Sequence, residues 1–261
     1  QREEAMRATI AVVNQKGGTG KTTTVANLAW LFAAAGKRVL AVDCDPQASL
    51  TFYFGRDERA LEGERKTLYW ALLGDRSIED ILIDGNPALL PASITLAKAD
   101  AELVAEPGAS WVLKEKLAPL RDRFDITLID CPPTLTLLTV NALAAADAVL
   151  VPVKTDLLST LGVPQLLDTV HKVQRRANPA LQVMGILPTL HNPRFAHDVE
   201  VLDEIRSVFG KQLRVFEAIP RATSFDRAAG TGKPTVAVDP TSAGAAAYQV
   251  LAKAILESID G

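Results

Sequence analysis

The residue types best suited to chemistry lie in one stretch near the N-terminus, at residues 14–24, with the order Asn-Gln-Lys-Gly-Gly-Thr-Gly-Lys-Thr-Thr-Thr. Gly17, Gly18 and Gly20 have no Cβ, so the backbone there can curl tightly and approach a ligand closely. A curled run of backbone N–H groups that ends at a helix N-terminus favours anions. The stretch therefore predicts a phosphate-binding loop.

Two side chains of this loop are spaced to act on a bound triphosphate. Lys21 can reach the β- and γ-phosphates, and the Thr22 hydroxyl can ligate Mg²⁺. The general pattern G-x-x-x-x-G-K-[ST] has glycine where this chain has Gln15, and the chain has a second lysine, Lys16, beside it. The predicted nucleotide-binding residues of the loop are Gly17, Gly18, Thr19, Gly20, Lys21, Thr22 and Thr23.

Carboxylates follow two further apolar runs. Asp43 and Asp45 flank Cys44 at the end of the run at residues 39–43, and Asp130 ends the run at residues 124–130. Such runs are typical of buried parallel strands, and ligands of α/β sheets bind at the carboxyl ends of strands. Acidic side chains at that edge indicate that they bind a metal ion or orient water.

The elements that must position these residues alternate between strand and helix. This order predicts one doubly wound α/β domain over residues 1–261, with a mostly parallel sheet flanked by helices. Residues 1–6 are expected to be a disordered or cloning-derived tail. We predict strands at 9–13, 39–43, 88–93, 124–130, 148–153, 181–187 and 213–216, helices at 25–35, 67–73, 78–82, 135–145, 157–174, 195–209 and 244–258, and an irregular loop at 52–66.

Three ordered motifs resemble those of one family. The string Lys-Gly-Gly-Thr-Gly-Lys-Thr at residues 16–22 resembles the deviant Walker A box of the ParA/MinD group of SIMIBI-like P-loop NTPases. Residues 43–47 resemble the switch I of that family, and residues 124–133 resemble its Walker B and switch II. The resemblance spans about residues 8–258 and implies ATP and Mg²⁺ as cofactors.

The resemblance also implies roles for individual residues. Lys16 is expected to reach the nucleotide of a partner subunit, Asp45 to place the attacking water, and Asp130 to orient Mg²⁺. The implied catalytic residues are Lys16, Lys21, Asp45 and Asp130, and the implied metal-site residues are Thr22, Asp45 and Asp130. In the family an I-P-R string lies by the adenine, which implies base contacts from Pro220 and Arg221.

The C-terminal half is locally basic. Residues 150–235 contain eleven Lys and Arg against eight Asp and Glu, within a chain of net charge −3. Members of the family that bind the nucleoid contact DNA without sequence preference through such residues, which implies DNA contacts from Lys172, Arg175, Arg176, Arg194, Arg221 and Arg227. The first three share a helix face, and a favourable interaction with the helix dipole is their alternative explanation.

The composition favours some cellular compartments over others. Cys44 and Cys131 are far apart in the sequence, which favours a reducing compartment. No apolar run reaches the roughly 18 residues that a membrane span needs, and the first residues have no signal-peptide core. We therefore expect a cytoplasmic protein, and the resemblance adds association with the nucleoid.

The resemblance implies a ParA-type ATPase with weak intrinsic activity. It would form an ATP-dependent sandwich homodimer, bind double-stranded DNA nonspecifically, and position a chromosome, plasmid or protein assembly. A ParB-like or adaptor protein would stimulate hydrolysis.

Two alternatives stay open. A MinD-like membrane-cycling ATPase needs a basic amphipathic tail, whereas residues 244–258 contain only Lys253 as a basic residue, so no membrane partner is expected. An ATP-dependent metabolic enzyme of the same superfamily needs a substrate pocket.

Overall fold

A central parallel sheet organises the computed structural model, which describes residues 7–260; the prediction for residues 1–6 lies outside that range. The sheet has six strands in the order β3-β2-β4-β1-β5-β6, and every neighbouring pair is parallel. This arrangement confirms the predicted doubly wound α/β fold. The strands are Ala8–Val12 (β1), Val39–Asp43 (β2), Ala88–Leu90 (β3), Ile126–Asp130 (β4), Ala148–Lys154 (β5) and Gln182–Thr189 (β6).

Helices cover both faces of the sheet. Because successive strand side chains point to opposite faces, Ile10 and Val12 pack in the core under α1 and α14, whereas Ala11 and Val13 pack in the core under α8 and α10. The α-helices are Lys21–Ala34 (α1), Ser49–Tyr53 (α2), Glu58–Gly63 (α3), Leu68–Leu72 (α4), Ile78–Ile81 (α5), Ala99–Leu103 (α6), Val112–Leu117 (α7), Leu137–Ala145 (α8), Leu157–Thr160 (α9), Val163–Arg176 (α10), Ala196–Phe209 (α11), Thr223–Ala229 (α12), Thr235–Val238 (α13) and Ala243–Asp260 (α14), with 3₁₀ turns at Ile94–Lys98 and Ala118–Leu120.

The predicted loop at residues 52–66 is wrong, because it contains the end of α2 and all of α3. Asp57 caps α3 by accepting hydrogen bonds from the backbone N–H groups of Arg59 and Ala60. A short capped helix with no buried residue has no apolar periodicity, so the pattern on which the prediction rested was absent.

Two other predicted elements also differ from the structure. The helix predicted at 157–174 is divided into α9 and α10, and the division falls just before Pro164, in the first turn of α10, where a missing N–H is tolerated. The strand predicted at 213–216 is reduced to one parallel bridge between Val215 and Ile186. Within residues 7–260, none of the helices combines the length and the apolar character that crossing a bilayer requires.

Candidate nucleotide-binding site

The glycine-rich loop joins the carboxyl end of β1 to the start of α1. Gly18 and Gly20 have φ of 69° and 82°, a left-handed conformation that residues with a Cβ rarely adopt. A Cβ added at Gly17 or Gly18 would meet nothing within 4 Å, so the space in front of the loop is open. None of the described side chains caps the N-terminus of α1, which begins at Lys21. The free amide groups and the helix dipole can therefore bind an anion there.

Lys21 places a buried cation within this loop. Its Nζ donates a hydrogen bond of 3.2 Å to the carbonyl oxygen of Lys16. Burial lowers the pKa of Lys21, while the nearby Asp130, Cys131 and Asp45 act in the opposite direction. The loop thus curls around the ammonium group, which fits a site for phosphate oxygens.

Asp130 is fully buried at the end of β4, and neither of its carboxylate oxygens has a hydrogen-bond partner among the described residues. Burial raises the pKa of Asp130 well above its ordinary value, and Asp43 adds to this effect, whereas Thr22 and Lys21 oppose it. A fully buried carboxylate whose charge is offset only by the nearby Thr22 hydroxyl and Lys21 ammonium is costly, so a cation or ordered water would stabilise it. Its position beside Thr22 fits a hydrated Mg²⁺ ion.

Asp45 lies at the same edge of the sheet. Its Oδ1 accepts a hydrogen bond of 2.9 Å from the backbone N–H of Gln47, and burial raises its pKa. No group of three or more His, Cys, Asp or Glu side chains in residues 7–260 is arranged to hold a metal ion. Mg²⁺ usually takes only one or two protein carboxylates and completes its shell with water and phosphate.

Asp43 lies next to Asp130 in the sheet, but its carboxylate is hydrogen-bonded within the fold. Its Oδ2 accepts hydrogen bonds of 2.8 Å from both the backbone N–H and the hydroxyl of Thr51, and its Oδ1 accepts one of 3.2 Å from the backbone N–H of Asp45. Burial raises the pKa of Asp43 to about 7. Asp43 therefore anchors α2 and shapes the turn that carries Asp45.

The second lysine of the loop is partly exposed. The side chain of Lys16 is 37% exposed, and its Nζ donates a hydrogen bond of 2.9 Å to Asp156. The backbone N–H of Lys16 donates to the Oδ1 of Asn14, whose Nδ2 donates to the carbonyl oxygen of Pro152. The sequence predictions missed Asn14 and Asp156. Asp156 follows β5 closely, and the rule that polar residues at carboxyl strand ends converge could have identified it.

The string at residues 219–221, which is predicted to border the adenine, lies beside the segment at residues 188–191 in the structure. Backbone hydrogen bonds run from Ile219 to Pro188, from His191 to Ile219, and from Arg221 to His191, at 2.8–3.1 Å. Pro220 lies opposite His191 in the bridge between these segments. The hydroxyl of Thr189 donates a hydrogen bond of 2.9 Å to the carbonyl oxygen of Thr19, which joins this region to the glycine-rich loop.

The six basic residues predicted to contact DNA do not form one cluster. Lys172, Arg175 and Arg176 are exposed at the end of α10. This end of the helix lies close to the start of β5, since Asn178, just beyond the helix, donates hydrogen bonds to the carbonyl oxygens of Leu143 and Ala146. The exposed Arg194 and Arg221 instead follow the carboxyl end of β6, on the nucleotide side of the sheet.

Ion pairs further divide the set. Lys172 pairs with Asp168 at 2.8 Å, and Arg227 pairs with Asp239 at 3.2 Å. The side chains of Arg194 and Arg221 make no ion pair with another described residue. Of the predicted set, these two are the exposed basic residues that follow the carboxyl end of β6.

Known proteins are similar to this chain in sequence and in fold. The model of the AAA domain family matches residues 7–183. The sporulation initiation inhibitor protein Soj of Bacillus subtilis is 39% identical over 250 residues, which cover 94% of this chain and 97% of Soj. The chromosome partitioning protein ParA of Myxococcus xanthus is 39% identical over 252 residues, which cover 95% of this chain and 87% of that protein.

Solved structures extend the similarity to three dimensions. The crystal structure of cobyrinic acid a,c-diamide synthase from Mycobacterium smegmatis, with bound ADP and magnesium, has a TM-score of 0.84 and 39% sequence identity, and covers 97% of this chain and 95% of that chain. The structure of the same M. smegmatis protein with a bound ATP analogue and magnesium also has a TM-score of 0.84. The chain therefore belongs to the AAA domain family and is a P-loop ATPase of the ParA/MinD superfamily.

Proposed function

We propose that this protein is a ParA-type positioning ATPase that uses ATP and Mg²⁺ to switch between a monomer and a DNA-binding homodimer. The observation that carries the proposal is the placement of two lysines in one loop. Lys21 is buried within the loop, whereas the side chain of Lys16 is partly exposed and could reach a second copy of the chain. One loop thus offers a cation to its own nucleotide and another to a neighbour.

Each residue of the site has a distinct role in this proposal. The loop amides of residues 17–23 bind the phosphates, and the ammonium group of Lys21 contacts the β- and γ-phosphates. Thr22 and Asp130 hold the metal ion with its water shell, and Asp45 orients the attacking water. Mg²⁺, when bound, neutralises phosphate charge. Pro220 and Arg221 border the adenine.

The γ-phosphate makes the switch depend on ATP. A ligand shifts an equilibrium only by its differential interaction with the two states. In the dimer, each γ-phosphate would be contacted by Lys21 of its own chain and by Lys16 of the other. ADP lacks this phosphate and therefore cannot stabilise the dimer equally.

The dimer would bind DNA through phosphate contacts and so associate with the nucleoid. Arg194 and Arg221 lie on the nucleotide side of the sheet, where dimerisation can bring two copies of each together. A ParB-like or adaptor protein would stimulate hydrolysis and thereby release the DNA. The cargo would be a chromosome, a plasmid or a protein assembly.

Duplex DNA binding over a salt series, with Mg·ATP and with Mg·ADP, tests this proposal. We expect binding with Mg·ATP only, without sequence preference, and with an affinity that falls steeply as salt rises. Arg194→Ala should weaken binding and reduce the salt slope by about one for each phosphate that the arginine neutralises. The matched control Arg175→Ala, at the opposite edge of the sheet, should keep the slope. Equal binding in the two nucleotide states would contradict the proposal.

The apolar face of α14 is not available to a membrane. Tyr248, Leu251 and Ile255 on its apolar face are buried in the core that also contains α1. A membrane-targeting helix must instead offer its apolar face to lipid.

A metabolic role is a second candidate, because the M. smegmatis structure is named for a cobyrinic acid a,c-diamide synthase. ATP hydrolysis should be measured with duplex DNA and, separately, with cobyrinic acid and an amide donor. Turnover that depends on cobyrinic acid and ignores DNA would favour this candidate over the positioning role.

A further inference from the structure

Asp156, two residues beyond the end of β5, accepts hydrogen bonds from three other residues although its side chain is partly exposed. Its Oδ1 accepts hydrogen bonds from the Nζ of Lys16 at 2.9 Å and from the backbone N–H of Ser159 at 2.8 Å. Its Oδ2 accepts from the Nζ of Lys154, also at 2.9 Å. One carboxylate thus joins the glycine-rich loop, the end of β5 and the start of α9.

These contacts stabilise the ionised form of Asp156. Burial alone would raise the pKa of this carboxyl, but the hydrogen bonds from Lys16, Lys154 and Ser159 outweigh burial and hold the pKa well below its usual range. Asp156 is therefore a carboxylate at any pH near neutrality, and it attracts the Lys16 ammonium throughout that range.

A second contact connects the same two segments. The Nε2 of Gln15 donates a hydrogen bond of 2.9 Å to the carbonyl oxygen of Gly162. Two consecutive loop residues, Gln15 and Lys16, are thus attached to the segment at residues 156–162. Lys16 is held by this segment of its own chain and does not extend freely into solvent.

We propose that Asp156 is a positioning residue that holds Lys16 in its own chain and thereby opposes the insertion of Lys16 into the nucleotide site of a second copy. The proposal rests on the proposed function, because it assumes a dimer in which Lys16 contacts the partner's ATP. It adds a residue that regulates that dimer.

The geometry makes the release of Lys16 reversible. When Lys16 leaves, Oδ1 still accepts from Ser159 and Oδ2 still accepts from Lys154, so the carboxylate is not left without donors. The γ-phosphate of a partner's ATP offers Lys16 more negative charge than Asp156 does. ATP in the partner site would therefore win this competition, whereas ADP would leave Lys16 with Asp156.

Asp156→Asn tests the proposal with little risk to the fold. Asparagine caps helices as well as aspartate does, so the contact with Ser159 can persist while the charge that holds Lys16 is removed. We expect the dissociation constant of the Mg·ATP dimer, measured by sedimentation velocity, to fall about two- to fivefold, as for removal of a partly exposed ion pair. The control Asp168→Asn removes a similar pair, with Lys172 on α10, and should leave the constant unchanged.

A double variant separates this role from a general structural effect. The double variant Lys16→Ala, Asp156→Asn should stay monomeric with Mg·ATP, as Lys16→Ala does, because Asp156 acts only through Lys16; a dimer of the double variant would show that Asp156 opposes dimerisation by another route. An unchanged or weaker dimer in Asp156→Asn alone, with normal dimerisation of the wild type, would overturn the role of Asp156 only. A wild-type chain that does not dimerise with Mg·ATP would overturn the proposed function itself.

Discussion

At the scale of single residues, the candidate site contains two buried charged groups that have few partners in the fold. Asp130 has no hydrogen-bond partner among the described residues, and Lys21 donates to a carbonyl of its own loop. Residue type and spacing singled out Lys21, and Asp130 was added because its run follows two other motifs in the order that resembles the family; that both act on a nucleotide stays a prediction. Asn14 and Asp156 were missed because their contacts join residues 138 and 140 positions apart, which no local pattern reveals.

The substitution Lys21→Ala should remove most of the affinity for ATP. A charge-assisted hydrogen bond contributes about 1.5–3 kcal/mol, and Lys21 would contact two phosphates, so we expect binding to weaken about 100-fold or more. Titration with a fluorescent ATP analogue measures the loss. Lys253→Ala, which removes an exposed lysine of α14, serves as the control. Wild-type affinity in Lys21→Ala would refute the role of this loop in phosphate binding.

Asp45→Ala should separate nucleotide binding from hydrolysis. The variant keeps the loop and Asp130, so it should still bind Mg·ATP and dimerise, but it lacks the carboxylate proposed to orient water. We expect phosphate release to fall about 100-fold or more. Asp57→Ala, which removes the aspartate that caps α3, is the matched control for turnover. Undiminished phosphate release in Asp45→Ala would assign the water to another residue.

At the scale of elements, the six strands of the sheet and the short helices α4 and α5 were predictable, whereas α3 and the break between α9 and α10 were not. Buried parallel strands are apolar throughout, as β2 is, and such runs are conspicuous in a sequence. By contrast, α3 buries no side chain, and its stability depends on the Asp57 cap. The break between α9 and α10 depends on Pro164, which can begin a helix as readily as end one.

A glycine in β6 should be essential to the packing of that strand. Gly185 has φ of 154° and follows the extra residue that shifts the register between β5 and β6. A Cβ at this position would lie 2.6 Å from the carbonyl oxygen of Arg214 and 2.8 Å from the Phe216 ring. Gly185→Ala should therefore destabilise the fold by about 2 kcal/mol or more, as measured by urea unfolding.

A second glycine provides the control for this prediction. Gly63, at the end of α3, has open space around its Cβ position, so Gly63→Ala should be neutral or slightly stabilising. Equal stability of Gly185→Ala and the wild type would mean that the residues at 213–216 can move away from β6 at no cost.

An ion pair joins the starts of β2 and β4 and should make stability depend on pH. Asp125 accepts hydrogen bonds from the backbone N–H and the guanidinium of Arg38, and the guanidinium contact lowers the pKa of Asp125. A lowered pKa stabilises the fold above the ordinary pKa of Asp, and this contribution disappears as pH falls through the folded-state value.

Asp125→Ala should therefore reduce the free energy of unfolding by about 1–3 kcal/mol at pH 7, and by less at pH 3. Urea unfolding of both chains at the two pH values measures this difference. A difference that stays constant over the range would show that the effect of Asp125 is not electrostatic.

At the scale of the whole molecule, the sheet order decides which distant residues share an edge. The sequence supplied the count of basic residues, but only the topology separates Arg194 and Arg221 from Lys172, Arg175 and Arg176. The same topology brings the segments at 188–192 and 219–221 to the glycine-rich loop. These contacts join segments that are far apart in the sequence, so no local sequence pattern reveals them.

The central claim is that ATP joins two copies of this chain through Lys16, and sedimentation velocity tests it most directly. The wild type and Lys16→Ala would each be measured with Mg·ATP and with Mg·ADP. We predict a dimer only for the wild type with Mg·ATP, while Lys16→Ala still binds ATP and stays monomeric. An ATP-dependent dimer of Lys16→Ala, as stable as that of the wild type, would contradict the account.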